Sequence, residues 1–495
     1  MITLISPYPE LSAFGIRSIS SYLKKHGFKS RLIFLPDPEF EIAATPDISY
    51  KYPDYVLNKV VELCRGSDLI GISFITYLFD RATQLTEKLK RDLTVPVIWG
   101  GKHASINPEE GLKYADIVCI GEGEEAMLEL AEKIRSREDY TSVRSLQFKD
   151  KNNGIIRNPV SLLNQTIDLY GMPDYNMEEH YIWVKESEDI VPLNSSLVER
   201  YFEDEVYQRL GRKYLAMTSR GCPYNCSYCF TFKRLYPGLR YLRHRSIENI
   251  IDEFQVIKKN FSGVKVIEIC DDSFFSRNVD EIKEFSRLYK ENIGLPLICL
   301  AHPSTVTAEK LSFLVDAGLC IVQMGIESAS ERTKKLYNRS VSNERVLKAI
   351  QDINKFKGKL LPLYDFIIDN PYESRDDVFE TLNFILKIPK PYRLQMFSLA
   401  FFPGTKLYEK AKEDGYIDVD DRANYRKIWT FFQERYHNYI FLLFNYQVPK
   451  FIMRLFINKL SIRLFDRNLF NRLGGMVLRF KRGLKLKRFQ EHKHK

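Results

Sequence analysis

Apolar runs alternate with amphipathic stretches twice along the chain. This predicts an α/β protein with a doubly wound parallel sheet at the N-terminus, then a partial (β/α)6 barrel, then a basic helical C-terminal region. Three observations carry the expectation: five short apolar runs before residue 140, six more after residue 210, and a concentration of positive charge beyond residue 449.

The first five runs are ITLIS, SRLIFL, DLIGISF, PVIWGG and DIVCIG. Helix-like stretches accompany them: GIRSISSYLKKHG, a segment near 80–91 and a last one over 124–134. Runs that are apolar throughout, with no in–out alternation, imply strands buried on both faces and hence a parallel sheet. Residues 1–140 therefore read as a Rossmann- or flavodoxin-like domain. Such sheets bind ligands at the carboxyl ends of their strands, which here carry Ser6 to Pro9, Ser73 to Thr76, Gly100 to Ser105 and Gly121 to Glu124. Residues 141–210 have weaker periodicity and turn-rich pieces such as IDLYGMPDYN, and are expected to be a linker with local structure.

From Tyr214 the alternation returns as YLAMTS, VKVIEI, LPLICLA, CIVQMGI, LPLYDFII and RLQMFSLAF, separated by helix-like stretches such as AEKLSFLVDAG and RDDVFETLNFILK. Six β/α units are two short of a closed TIM-type barrel, so residues 211–412 are expected to form an open one, with chemistry at the carboxyl ends of its strands. The first of these strands runs directly into GCPYNCSYCF, which groups Cys222, Cys226 and Cys229 in one loop. Disulfides take thiols in pairs, and a closed zinc site of this kind usually takes four ligands. An iron-sulfur cube held by three thiolates keeps one iron open for a substrate. A degenerate zinc knuckle is the structural alternative.

At 495 residues with 44% hydrophobic and 13% aromatic content, the chain is long enough for about three globular units. The remaining cysteines (Cys64, Cys119, Cys270, Cys299 and Cys320) are scattered singly in apolar runs and read as buried residues in a reducing compartment. With neither a secretory leader nor an apolar run of about 18 residues, the expected location is cytoplasmic, with peripheral contact at the inner membrane face as a further candidate. From Lys450 onward, 14 Lys and Arg face only Asp466 and Glu491, a net +12, so the rest of the chain carries −2 of the total +10. The region 413–495 reads as a basic amphipathic helical tail for an anionic membrane surface. Nucleic acid is disfavoured, because apolar residues are denser here than phosphate contacts require. A helical subdomain packed on the barrel is the structural alternative.

With these residues in place, CPYNCSYC and the order of domains resemble the radical SAM superfamily over residues 1 to about 415, specifically its branch with an N-terminal cobalamin (B12)-binding-type domain. The resemblance implies that Cys222, Cys226 and Cys229 bind a [4Fe-4S] cluster that chelates S-adenosyl-L-methionine. Reductive cleavage would then activate a substrate C–H bond. It further implies that Tyr228 flanks the adenine, that Asp271 and Asp272 in ICDDSFF lie at the site, that Glu327 and Ser328 in GIESAS approach ribose and amino groups, and that Arg339 in YNRS meets the carboxylate. FFPGT matches the branch as a rim turn at Pro403 and Gly404, whereas DFIIDNPYES departs from its glycine-containing pattern at Asp369 and Asn370.

In the first domain, the resemblance places Gly100, Gly101, Gly121, Glu122 and Gly123 against cobalamin, a candidate third cofactor. The loop SPYPELSAFG lacks a lower axial histidine, leaving His103 as a candidate cobalt ligand. The reaction would be cobalamin-dependent methyl transfer, rearrangement, cyclisation or oxidation. The alternatives are a radical enzyme without corrinoid and a non-catalytic metal-cluster protein with a membrane or nucleic-acid partner. Implied partners are a small-molecule or lipid-like substrate and an electron donor such as flavodoxin or ferredoxin.

Overall fold

A computed structural model describes residues 1–37, 51–150, 154–202, 210–417, 425–426, 433, 435–446, 448–458 and 460–461. Its first sheet contains β1 (Ile2–Ser6), β2 (Ser30–Phe34), β3 (Leu69–Ser73), β4 (Val97–Gly100), β5 (Ile117–Cys119), β6 (Leu146–Lys149), β7 (Ile155–Arg157), β8 (His180–Val184) and β9 (Asp189–Pro192). The strand order is β7-β6-β5-β4-β3-β1-β2-β8-β9. The five apolar runs became β1 to β5, all parallel. The chain leaves β1 for β2 on one side and β3 on the other, so the crevice between β1 and β3 is the topological switch point.

Residues 141–210 depart from the expected linker, because they supply β6 to β9. β6 and β7 extend one edge antiparallel to β5 and to each other, while β8 adds parallel to β2 and carries β9. Strands of three to five residues interrupted by turns are too short to show a period. What secures them is a contact across the sequence. Asp174 Oδ2 accepts hydrogen bonds from Ser20 Oγ at 2.5 Å and His180 Nε2 at 3.2 Å and pairs with Lys24 at 2.8 Å. Burial alone would raise this carboxyl, yet His180, Lys24 and Ser20 hold it well below the carboxylate range. Next to it the buried Arg17 guanidinium lies 4.4 Å from the Phe34 ring and 3.9 Å from that of Tyr175, close enough for cation–π attraction.

The second half contains β10 (Arg212–Ala216), a two-stranded antiparallel ribbon of β11 (Ser219–Arg220) and β12 (Arg243–His244), and then β13 (Val264–Ile269), β14 (Leu297–Ala301), β15 (Leu319–Glu327), β16 (Leu361–Ile368) and β17 (Arg393–Ser398). β10 and β13 to β17 form one six-stranded sheet in chain order, the open barrel the sequence implies. Helices that follow these strands begin at Ser or Thr caps, among them Ser246, Thr307, Ser342 and Ser374, whose side chains accept the first free amide protons. Two compact units result. One contains Met1–Phe274, Glu284–Leu297 and the described residues from Phe401 to 426, and the other contains Phe275–Lys283, Ile298–Ala400 and the described residues from 433.

The described part of the tail corrects the expectation of a surface helix. The helix Tyr436–Asn445 buries Ile440, Phe441 and Phe444, with Phe441 packed 5.9 Å from the Phe366 ring. Asp369, in the left-handed region at φ 59°, accepts the Gln433 amide at 2.8 Å and Asn438 Nδ2 at 2.7 Å. This accounts for the departure from the glycine pattern: the side chain at 369 anchors the C-terminal segment. Asn445 binds both backbone groups of Leu394, accepting from its amide at 2.7 Å and donating to its carbonyl at 2.9 Å. The short helix Lys450–Phe456 buries Met453 but leaves Phe451 69% and Leu455 67% exposed. Most of the basic tail, residues 462–495, lies outside the described residues.

No helix among the described residues is long and apolar enough to cross a membrane. None of the eight cysteines forms a disulfide. Cys64, Cys119 and Cys299 are buried as expected, whereas Cys270, just past the end of β13, and Cys320, at the start of β15, are only half-buried.

Candidate active site

The three-cysteine loop is fixed at its entry by Asp271. β10 and β13 end side by side, with the Cys270 amide donating to Ala216 O at 2.8 Å, which places the fully buried Asp271 under the turn into β11. Its Oδ1 accepts the amides of Thr218 at 2.5 Å and Ser219 at 3.0 Å, and its Oδ2 accepts the Thr218 hydroxyl at 2.5 Å. Gly221 follows at φ 96°, where a Cβ would sit 2.6 Å from the Tyr241 carbonyl oxygen, so only glycine fits.

At its base the loop is closed by β11 and β12, paired Ser219↔His244 and Arg220↔Arg243. Two glutamates grip these arginines. Arg220 reaches Glu122 at 3.0 Å and Glu124 at 2.5 Å, and Arg243 pairs with the other oxygen of Glu122. Burial opposes ionisation of Glu124, but the Arg220 charge and hydrogen bond bring its carboxyl below the usual range. On the far side, the Leu407 amide donates to Ser227 O at 2.9 Å and Arg234 to Gly404 O. Gly404 turns at φ 73°, as its rim-turn assignment requires.

Within this frame Cys222 is half-buried, Cys226 buried and Cys229 exposed, and Tyr228 is half-buried between the last two. Burial pushes the Cys222 thiol up to about 12, and Asp272, Cys229 and Cys226 add to the rise. Three sulfurs and a carboxylate thus lie close enough to oppose one another's ionisation, an arrangement suited to a cationic metal centre. No group of three His, Cys, Asp or Glu side chains among the described residues converges as a single metal ion would need. A cubane makes a different demand, because each thiolate takes its own iron, and the donor set fits it.

In the second unit, Glu327 ends β15 in the left-handed region at φ 69°, strain of the kind that collects at functional sites. The Arg339 guanidinium binds Gly325 O and lies 3.9 Å from Glu327 Oε1. Ser328 does not join them. It is buried, with its hydroxyl 3.2 Å from Glu373 and 3.1 Å from Thr381, and it accepts the Ser330 amide.

The first-domain residues separate in the same way. A Cβ on Gly100 would meet nothing within 4 Å, so space remains there for a ligand. Gly101, Gly121 and Gly123 are instead accounted for by the protein: a Cβ would lie 2.6 Å from Phe74 O, 2.3 Å from the Tyr236 hydroxyl and 3.0 Å from Ile19 respectively. Glu122 has its carboxylate on the two arginines, and its amide donates to the Tyr236 hydroxyl at 3.2 Å. His103 is buried, stacked on Phe74 at 5.3 Å, with Glu110 at 3.5 Å. It is a packed residue.

Residues 217–385 match the radical SAM superfamily and residues 2–131 match the B12 binding domain. The chain thus carries a radical SAM domain together with a B12 binding domain. Among curated proteins, this radical SAM chain is 27% identical over 424 residues to "Uncharacterized methyltransferase PH0819" of Pyrococcus horikoshii, with 84% of each chain covered. It is 25% identical over 444 residues to the bacteriochlorophyllide d C-8(2)-methyltransferase of Chlorobaculum tepidum, covering 86% of this chain and 87% of that one. Among solved structures, it shares its fold with the cobalamin-dependent S-adenosylmethionine radical enzyme OxsB (TM-score 0.65, 16% identity, 89% of this chain and 65% of that one). It also shares it with the methyltransferase TsrM from Kitasatospora setae (TM-score 0.62, 16% identity, 83% and 76%).

This radical SAM protein is therefore an enzyme of a superfamily that acts on small-molecule substrates and needs a reductant, as the sequence implied. Sequence reasoning missed the residues that hold its loop: Thr218, Arg220, Arg243 and Glu124. The only local signal was an arginine directly before GCPYNC and a run of acids in GEGEE.

Proposed function

We propose that the chain is a cobalamin-dependent radical SAM enzyme in which Cys222, Cys226 and Cys229 hold the [4Fe-4S] cluster. The observation that carries this is the three-thiol loop fixed at the end of β10 by Asp271 and by the two glutamate–arginine pairs. When bound, the cluster and S-adenosylmethionine supply a 5′-deoxyadenosyl radical for C–H activation, and the corrinoid supplies a transferable methyl group.

The protein's own residues then have separable tasks. Cys222 must release its proton for metal loading, since burial and its acidic neighbours favour the thiol. Asp271 acts on the loop's shape, whereas the exposed Asp272 acts on its charge. Tyr228 flanks the adenine. Arg339 and Glu327 bind the carboxylate and the amino or ribose groups of S-adenosylmethionine by charge-assisted pairing. The open surface at Gly100 would receive the corrinoid. Residues 1–140 and 211–412 form the two functional domains, and a flavodoxin- or ferredoxin-type donor supplies electrons. Methyl transfer is favoured over the other outcomes because two relatives that each span more than four-fifths of both chains are named methyltransferases.

Anaerobic reconstitution tests this reading. The expected result is about four irons and four sulfides per chain, 5′-deoxyadenosine under reductant, and hydroxocobalamin retained through desalting. Bound zinc with no 5′-deoxyadenosine would refute it, and a corrinoid lost on the column would remove the cobalamin part alone.

The exposed Phe451, Leu455, Phe456 and Leu460, in a stretch from 436 to 465 that has no acidic residue, support peripheral contact with an anionic lipid surface. Phosphatidylglycerol vesicles should sediment the wild type, and the double variant Phe451→Glu, Leu455→Glu should stay in solution. Equal sedimentation of both would end this part of the proposal.

A further inference from the structure

One face of β15, β16 and β17 carries polar side chains that the roles above leave unused. β16 pairs with β15 through Gly325↔Asp365 and with β17 through Asp365↔Gln395. Asp365 and Gln395 are therefore lateral neighbours on parallel strands and project to one face, each three residues before the end of its strand. Tyr364 and Phe366, which point the other way, are buried, whereas Gln323, Asp365 and Gln395 keep partial exposure. Their face borders open space and not a packed layer.

Gln323 Nε2 donates to Asp365 Oδ2 at 2.8 Å. Asp365 Oδ1 and Gln395 Oε1 are buried and accept a hydrogen bond from no described residue. Buried acceptors are almost always satisfied, because leaving one bare forfeits its hydration with nothing in return. Two such oxygens side by side point to donors from outside the polypeptide. Adjacent strands lie about 4.8 Å apart, a separation that one group with two N–H bonds can bridge and one hydroxyl cannot.

Charge supports the same picture. Burial, and then the Glu327 carboxylate, raise the Asp365 carboxyl to about 8, against the opposing effects of Gln323 and Arg339. Near neutral pH it is a carboxylic acid whose O–H can donate to an amide carbonyl while Gln395 accepts that amide's N–H, and a cationic ligand would draw the proton off it and donate to both oxygens.

We propose that Asp365 and Gln395 are the pair that recognises the substrate, and that the substrate presents to them a nitrogen group with N–H donors, an amide or amidine-like end and not a hydrocarbon chain. The inference rests on the radical SAM reading, which makes the barrel strands the place of chemistry.

The probes are acetamide, acetamidinium and acetone, which are alike in size and differ in N–H donors, titrated by saturation-transfer NMR into the reconstituted full-length enzyme. Acetamide and acetamidinium should bind at least about tenfold more tightly than acetone, and Asp365→Leu and Gln395→Leu should each weaken acetamide about tenfold. Acetamidinium affinity should rise as pH passes about 8 and Asp365 ionises, with Glu327 and Arg339 as the charges facing it, and Asp365→Asn should abolish that rise. Gln395→Leu carries the comparison if Asp365→Leu does not fold.

Acetone binding as well as acetamide, or Leu variants binding like wild type, overturns the inference, because water then satisfies both oxygens. Wild-type 5′-deoxyadenosine formation is scored separately. Enzyme that makes it but ignores the donor probes defeats this inference alone, and enzyme that binds them but cleaves no S-adenosylmethionine defeats the radical reading instead.

Discussion

Asp271 and Asp272 are sequence neighbours with opposite predicted behaviour. Asp271→Ala removes the acceptor from two buried backbone amides, those of Thr218 and Ser219, and from the Thr218 hydroxyl. Each orphaned buried donor costs about 1–3 kcal/mol, so the three together should cost the turn about 3–9 kcal/mol. Asp271→Asn keeps one oxygen for the amides and can donate to a rotated Thr218 hydroxyl, so it should cost only about 1–2 kcal/mol, the difference between a charged and a neutral acceptor. The chain forms two compact units and global unfolding would blur the result, so the assay is hydrogen exchange at Thr218 and Ser219, read with iron content after reconstitution. Exchange should accelerate more than tenfold in the Ala variant, since about 1.4 kcal/mol is a factor of ten, and iron should fall with it. Asp272→Asn should leave exchange unchanged and instead shift Cys222 alkylation in the metal-free protein to lower pH, because a negative neighbour is gone. An Asp271→Ala protein with wild-type protection and full iron would show that the loop is held by something else.

Glu122→Gln leaves Arg243, whose side chain is 1% exposed, without its carboxylate and should cost about 3 kcal/mol, seen as a lower Tm. The Asp365 carboxyl is raised from 3.8 to about 8, so the folded state holds a proton that the unfolded chain has released. Its stabilising contribution is complete below about 3.8 and lost as pH rises to about 8. Urea unfolding of Asp365→Asn should therefore show a pH slope between 5 and 7 that is less negative than wild type by about 1.4 kcal/mol per unit. Asn438→Ala should expose an Asp369 oxygen, cost about 1–3 kcal/mol and speed proteolysis within the helix Tyr436–Asn445.

What the sequence made legible was what repeats locally. β1 to β5 and the six barrel strands are short, predominantly apolar runs, and three thiols in eight residues announce themselves. What it hid depends on distant partners. Asp174 lies 157 residues from Arg17, which donates to its carbonyl, and nothing near PDYN hints at that contact. Glu122 was read from its glycine neighbours as backbone beside a flat ligand, but its partner Arg243 is 121 residues away. Ser328 was grouped with Glu327 by adjacency, yet the left-handed turn at 327 sends the serine into the layer behind. The helix Tyr436–Asn445 contains no Lys or Arg, so averaging it with the basic residues beyond it disguised a core element as part of a surface tail.

An open barrel ends in an edge strand, and such edges recruit strands from other chains. At β17 the two backbone groups of Leu394 are occupied by the carboxamide of Asn445. A second copy of the chain cannot continue the sheet through that residue without first displacing the helix Tyr436–Asn445. The C-terminal segment therefore also limits self-association, and a protein clipped ahead of Asn445 should have a stronger tendency to polymerise as well as lower stability.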